Sequence, residues 1–146
     1  MRIILRILLA VLFAETFVVG AWNAIAPESF YRDFPTVDLT PPFSEHYARD
    51  FGWALLGISV LLGFAAIVPR AHYVVPAAVA YAVFAVPHFV FHLAHLDHAT
   101  TGEAIALTAG NGLVVAMALT AIVLSLALRR APSVNHGPRL EPQSVR

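Results

Sequence analysis

Four long apolar stretches separated by short polar segments organise this chain. They run from about Ile3 to Ala26, from Phe51 to Val68, from Val74 to about Leu93, and from Ile105 to Leu128. Each approaches the ~20 residues that carry a helix across a ~30 Å hydrocarbon core. A backbone in lipid must satisfy its own hydrogen bonds, so the pattern predicts helices. Ser44 is placed to cap the second helix before its apolar run begins. The expected helices therefore cover about 3–26, 44–68, 74–95 and 104–128. Together they predict an all-α, four-transmembrane-helix bundle over residues 1–130. Residues 131–146, broken by Pro132, Gly137, Pro138 and Pro142, read as a disordered tail. The first stretch has a signal peptide as its alternative, with Arg2 and Arg6 as the charged flank. Its apolar run is long for that role and Glu15 interrupts it, which favours a retained helix.

Composition supports lipid as part of the solvent. Of 146 residues, 59% are hydrophobic and 12% charged, too little charge to clothe so small a soluble domain. The absence of cysteine excludes disulfides, thiolate metal sites and cysteine nucleophiles. Every cation is an arginine, and the net charge is zero, so nothing global points to nucleic acid. The placement of arginine is more informative. Arg2, Arg6, Arg70, Arg129, Arg130, Arg139 and Arg146 fall on one side of four alternating helices, and Arg32 and Arg49 on the other. The positive-inside rule then places both termini in the cytoplasm of a multi-pass protein of the cell membrane. The 27–50 and 94–103 segments face outward.

That outward side gathers the candidate chemistry. Glu28, Asp33, Asp38, Glu45, Asp50, Asp97 and Glu103 lie there, as do His46, His88, His92, His95 and His98. An arginine-rich inside explains outward carboxylates but not the histidines. At about 100° per residue, His88, His92 and His95 share about 60° of arc on one helix face. His98 extends that stripe if the helix continues. Imidazoles at i and i+4 can hold one ion, and imidazole suits zinc, copper and iron. His46 and Asp50 stand i, i+4 on the second helix, where a carboxylate serves as ligand or as the acceptor that fixes an imidazole tautomer. Against this, such residues at a helix start commonly form only exposed ion pairs of small worth, here Arg49 with Glu45 or Asp50.

Two further positions lie deeper. Glu15 falls near the bilayer centre, where an ionisable side chain costs ~2.5–3.5 kcal/mol on insertion scales and is usually functional. Asn111, between Gly110 and Gly112, marks a weak stretch of helix that lets another backbone approach. Glu15, Asn111 and His88 are candidates for one polar pocket. Pro87 removes a backbone hydrogen bond beside His88 and predicts a kink there. Asn23 is nearer the outer end of the first helix. Phe30, Tyr31, Phe34, Phe43, Tyr47, Phe51 and Trp53 read as an interfacial aromatic belt, and the prolines at 35, 41 and 42 as an irregular loop able to cover a site.

The outward loop opening with Pro27, the Arg49-Asp50-Phe51-Gly52 segment and Leu56-Gly57 in the second helix resemble the small four-helix bacterial membrane proteins grouped as DoxX-like. That resemblance spans most of the membrane part and implies an accessory or oxidoreductase-associated role. The histidine spacings also look like fragments of the histidine boxes of membrane di-iron hydroxylases, but too few histidines are present to support membership.

Three functions follow as expectations. One is a metal centre of His46, His88, His92, His95 and His98 with Asp50 nearby, redox-active or metal-handling, with haem as a variant using two axial histidines. The second is a metal-free acid/base enzyme, an isomerase or cyclase, working on a lipophilic small molecule with Glu15, Asp50 and His88. The third is a non-catalytic subunit held by a membrane partner or by copies of itself.

Overall fold

The computed structural model describes residues 1–39 and 42–130, with the side chain of Arg130 left aside. The expected tail over 131–146 lies outside the described residues. The chain forms α1 (Arg2–Ile25), α2 (Pro27–Asp33), a short 3-10 turn at Val37–Leu39, α3 (Glu45–Ile67), α4 (Ala71–Ala94) and α5 (Thr101–Arg130). Four of these, α1, α3, α4 and α5, are long and apolar enough to cross a membrane. They coincide with the four expected helices within a few residues. Ser44 caps α3, its side chain accepting from the Tyr47 amide at 3.5 Å.

The short helix α2 is a difference from the expected loop. Pro27 occupies its first turn, Glu28 stands in the first turn and Arg32 in the last, an arrangement that suits the helix dipole at both ends. Only seven residues long, it is held by tertiary contacts. Phe30 stacks on Phe34 with ring centroids 4.8 Å apart, and Trp22 of α1 meets both rings edge-on. Thr36 then takes a left-handed conformation with φ 71° and turns the chain toward α3.

The four long helices form a ring in the order α1, α3, α4, α5, so that α1 stands diagonally opposite α4. The closest packing joins α1 to α3 and α4 to α5; the seams between these two pairs are looser. Glycine makes the first pair close. Gly52 of α3 abuts the backbone of Ala24, and Gly20 of α1 lies against Gly52 and Leu55, so a Cβ at either site would meet neighbouring atoms at 3.0 Å or less. In lipid, where burial of apolar surface gives little drive between helices, such close van der Waals approach is what holds them together.

The packed core fills one half of the ring, the half away from α2. Leu5, Leu9 and Leu12 of α1 meet Leu62 and Ala65 of α3, Val74, Ala77, Ala78 and Tyr81 of α4, and Ala118 and Ala121 of α5. The spacings of three and four residues are those of a single helix face. Outside this core, Ile3, Ile7, Val18, Val60, Val83 and Val123 are exposed. Water would make that surface an aggregation hazard; a bilayer makes it an ordinary lipid face. The other half of the ring, at the α2 end, is not filled.

Candidate functional site

A cavity of about 1070 Å³ occupies the unfilled half. Its boundary with the core is a hydrogen bond across the ring diagonal, in which Tyr81 Oη donates to Glu15 Oε2 at 3.0 Å. Thr16 Oγ1 stands 3.1 Å from the same carboxyl oxygen and donates to the Leu12 carbonyl at 2.6 Å. An ionisable group inside a bundle of long apolar helices is thus tied by the Tyr81 hydroxyl, which lowers the cost of keeping it there. Thr16 and Tyr81 were not singled out by the sequence reading. A tyrosine in the interior of another helix was visible in the sequence, but that α4 stands diagonally opposite α1 was not.

Above this floor the walls are largely aromatic. Phe51 of α3 meets Phe84 of α4 at 5.3 Å between ring centroids, and Phe84 meets the His88 ring at 5.0 Å. His88 and His92 follow, 4.5 Å apart and nearly perpendicular. Both histidines line the cavity, as do Glu15, Asn23 and Asn111. The expected meeting of Glu15, Asn111 and His88 around one pocket is therefore present. The roof is Phe30, Tyr31, Phe34 and Thr36 from the α2 segment, the covering expected of that loop. α4 runs unbroken through Pro76 and Pro87. Proline at 87 leaves the carbonyl four residues back, that of Val83, without its helical donor, and Val83 also borders the cavity.

The remaining candidate residues lie elsewhere. α4 ends at Ala94, and His95 is its cap, with its ring stacked on Phe91 at 4.0 Å and Nδ1 against the Phe91 carbonyl at 2.8 Å. The chain leaves helical phase at His95, so the stripe does not extend to His98. His46 is 90% exposed in its side chain and pairs with Asp50 of its own helix at 3.4 Å; neither lines the cavity. Among the described residues, no three histidine or carboxylate side chains are placed to hold a metal ion. The five-histidine ligand set is not assembled, because only His88 and His92 share a wall. Asp50 is likewise not brought to Glu15 and His88.

Both cations at this end are engaged. Arg49 pairs with Glu45 at 2.8 Å and donates to the Ala24 carbonyl at 2.8 Å, satisfying the end of α1. Arg32 is held by Asp33 through two hydrogen bonds of 2.8 and 2.9 Å.

The Arg32 guanidinium and the Ser29 hydroxyl hold the Asp33 carboxyl below the ordinary carboxylate range. Trp22 Nε1 donates to Ser29 Oγ at 3.1 Å, and Ser29 in turn to Asp33 at 3.0 Å, so the α2 segment is tied to α1 at Ser29, whose hydroxyl this carboxylate orients. A carboxyl whose acidity is raised by folding stabilises the fold at pH values above its unfolded range. That contribution is lost as pH falls through the lower folded value. Acidification below about pH 4 should loosen the α2 roof and shift Trp22 emission, and Asp33→Asn should show the shifted emission already at neutral pH. Identical emission–pH curves for the two proteins would refute the anchor.

No protein-family model, curated protein or solved structure matches this chain.

Proposed function

We propose that this is a multi-pass membrane protein that admits a lipophilic small molecule from the bilayer into the cavity at its α2 end. The observation that carries the reading is the cavity itself: about 1070 Å³, at the upper limit of ordinary ligand sites, apolar and aromatic for most of its wall. Tyr47 and Val83 at its border are 71% and 70% exposed, so it opens to the outer surface of the bundle. A few polar groups at defined depths give such a cavity orientation and selectivity.

Glu15, with Tyr81 at its floor, and His88 with His92 on its wall are groups able to exchange protons with a bound molecule. This supports acid/base chemistry on a lipophilic substrate over a metal centre, since two imidazoles leave a transition ion short of protein ligands. In this reading the α2 end faces out of the cell, as the arginine placement implies. The DoxX-like layout enters as architecture, with an accessory role as its functional alternative.

The test is what the purified protein carries. Extraction and mass spectrometry of the detergent-solubilised protein should recover a lipophilic molecule in near-stoichiometric amount. Gly110 lines the cavity, and a Cβ there meets nothing within 4 Å, so Gly110→Phe should displace that molecule without unfolding the bundle. If the folded Gly110→Phe protein carries the same lipids as the original, the cavity is not a binding site.

A further inference from the structure

The cavity holds a side chain that the fold does not use. Asn23 is only 5% exposed, lines the cavity, and among the described residues its amide makes no hydrogen bond. Its polar atoms nevertheless keep contact with open space, because no buried side-chain nitrogen or oxygen is left unpaired. A membrane helix that carries an amide against a cavity, with no protein partner, presents a donor and an acceptor to whatever fills it.

Asn23 has company at its own depth. α1 and α4 run in the same direction, and the Tyr81–Glu15 bond fixes their relative height. Asn23 lies eight residues past Glu15, about 12 Å along α1, and His88 seven past Tyr81, about 10 Å along α4. The two therefore stand at nearly one level on opposite sides of the ring. α5 is placed there too, since a Cβ on Gly112 would lie 3.5 Å from the Phe89 ring, which sets Asn111 beside the His88 turn. Asn111 uses one amide hydrogen on the Leu107 carbonyl at 2.9 Å, leaving the other hydrogen and its oxygen. Three helices thus each contribute one hydrogen-bonding side chain to a single collar about two turns above Glu15.

The charge of the collar limits what it can hold. It carries two amides and an imidazole, and among the described residues no arginine lines the cavity. The two arginines at this end are held by Asp33 and by Glu45 with the end of α1. A phosphate or carboxylate head would enter this space with no permanent cation to meet it, a costly burial. A hydroxyl or carbonyl head loses little, because the amides supply both donors and acceptors.

We propose that Asn23, His88 and Asn111 form the head-group subsite for an uncharged lipid bearing a hydroxyl or carbonyl, whose chain lies in the apolar space toward Val19, Leu55 and Val114. This rests on the reading of the cavity as a site for lipophilic molecules and adds the class of head group.

Farnesol and farnesyl phosphate are suitable probes, being one chain with an uncharged and an anionic head. Trp53 is exposed on the lipid face, so Trp53→Phe leaves Trp22, which packs on the cavity residues Phe30 and Phe34, as the sole tryptophan reporter. In nanodiscs, farnesol should shift Trp22 emission saturably and bind about tenfold or more tighter than farnesyl phosphate, the factor for one charge-sized mismatch of hydrogen bonding. Asn23→Leu and Asn111→Leu should each weaken farnesol about fivefold or more while leaving the phosphate unchanged. Equal or tighter binding of the phosphate, or farnesol binding indifferent to both leucines, overturns the collar and leaves the cavity reading standing. Failure of both probes to bind the unsubstituted protein overturns the cavity reading beneath it.

Discussion

Gly52→Ala should destabilise the bundle by about 1–3 kcal/mol, the usual cost of forcing a methyl into a filled contact. The added Cβ would collide with the backbone of Ala24 and would lie 2.7 Å from the Gly20 carbonyl oxygen. Backbone cannot rotate away as a flexible side chain can, so α1 and α3 must separate along their whole shared face. Gly57, five residues further along α3, has open space at its Cβ, and Gly57→Ala should cost nothing. Resistance to SDS in mixed micelles measures both. Equal stability of the two variants would show that glycine contact does not hold this pair. Arg49 should make the effect of Gly52→Ala broader, since its bond to the Ala24 carbonyl crosses the same interface and would lengthen with it.

Tyr81 carries the second large effect. It is the largest fully buried side chain, 1% exposed, and joins the core to the cavity floor. Tyr81→Ala opens roughly 100 Å³ at about 24 cal/mol per Å³, or about 2–3 kcal/mol, with about 1 kcal/mol more for the lost hydrogen bond. The transfer part of such a substitution in water is largely absent here, because the interior and the lipid are similarly apolar. Tyr81→Phe keeps the ring and removes only the hydroxyl, so it should cost about 1 kcal/mol. Glu15→Gln should be nearly silent for stability, since its amide oxygen still accepts from Tyr81. The same SDS titration ranks the three. A Tyr81→Phe protein as unstable as Tyr81→Ala would place the whole effect on the Glu15 bond; a fully stable Tyr81→Phe would mean the bond contributes nothing.

These two substitutions separate what holds the ring from what shapes the cavity. Gly52 closes the α1–α3 pair, and Tyr81 meets α1 across the diagonal. The looser seams between the two helix pairs then bound a space that large side chains fill only in the lower half. Leucine and alanine at three- and four-residue spacings pack the end away from α2. At the other end, Glu15, Asn23, His88, His92 and Asn111 share the inward positions with aromatic and aliphatic side chains such as Phe51, Leu55, Phe84 and Val114.

The four helices and their approximate boundaries were legible in the sequence, because each follows from a local property: an apolar run of membrane length, a capping serine at Ser44, an arginine or proline at the end. Counting residues along straight helices sets the levels of Glu15, His88 and Asn111 within their own helices, but that all three line one cavity depended on which helices pack together. Counting failed at His95. A periodic face holds only while the helix lasts, and α4 ends at Ala94, so the histidine stripe stops at two. It failed for His46 and Asp50 for another reason: a shared level does not place side chains on the same side of a neighbouring helix. Which helices are neighbours and which stand diagonally depends on contacts such as Gly20 with Gly52, between residues far apart in the chain. That choice set Tyr81 against Glu15 and left Asn23 facing open space, and together with the end of α4 at Ala94 it reduced five scattered histidines to one pair on a cavity wall.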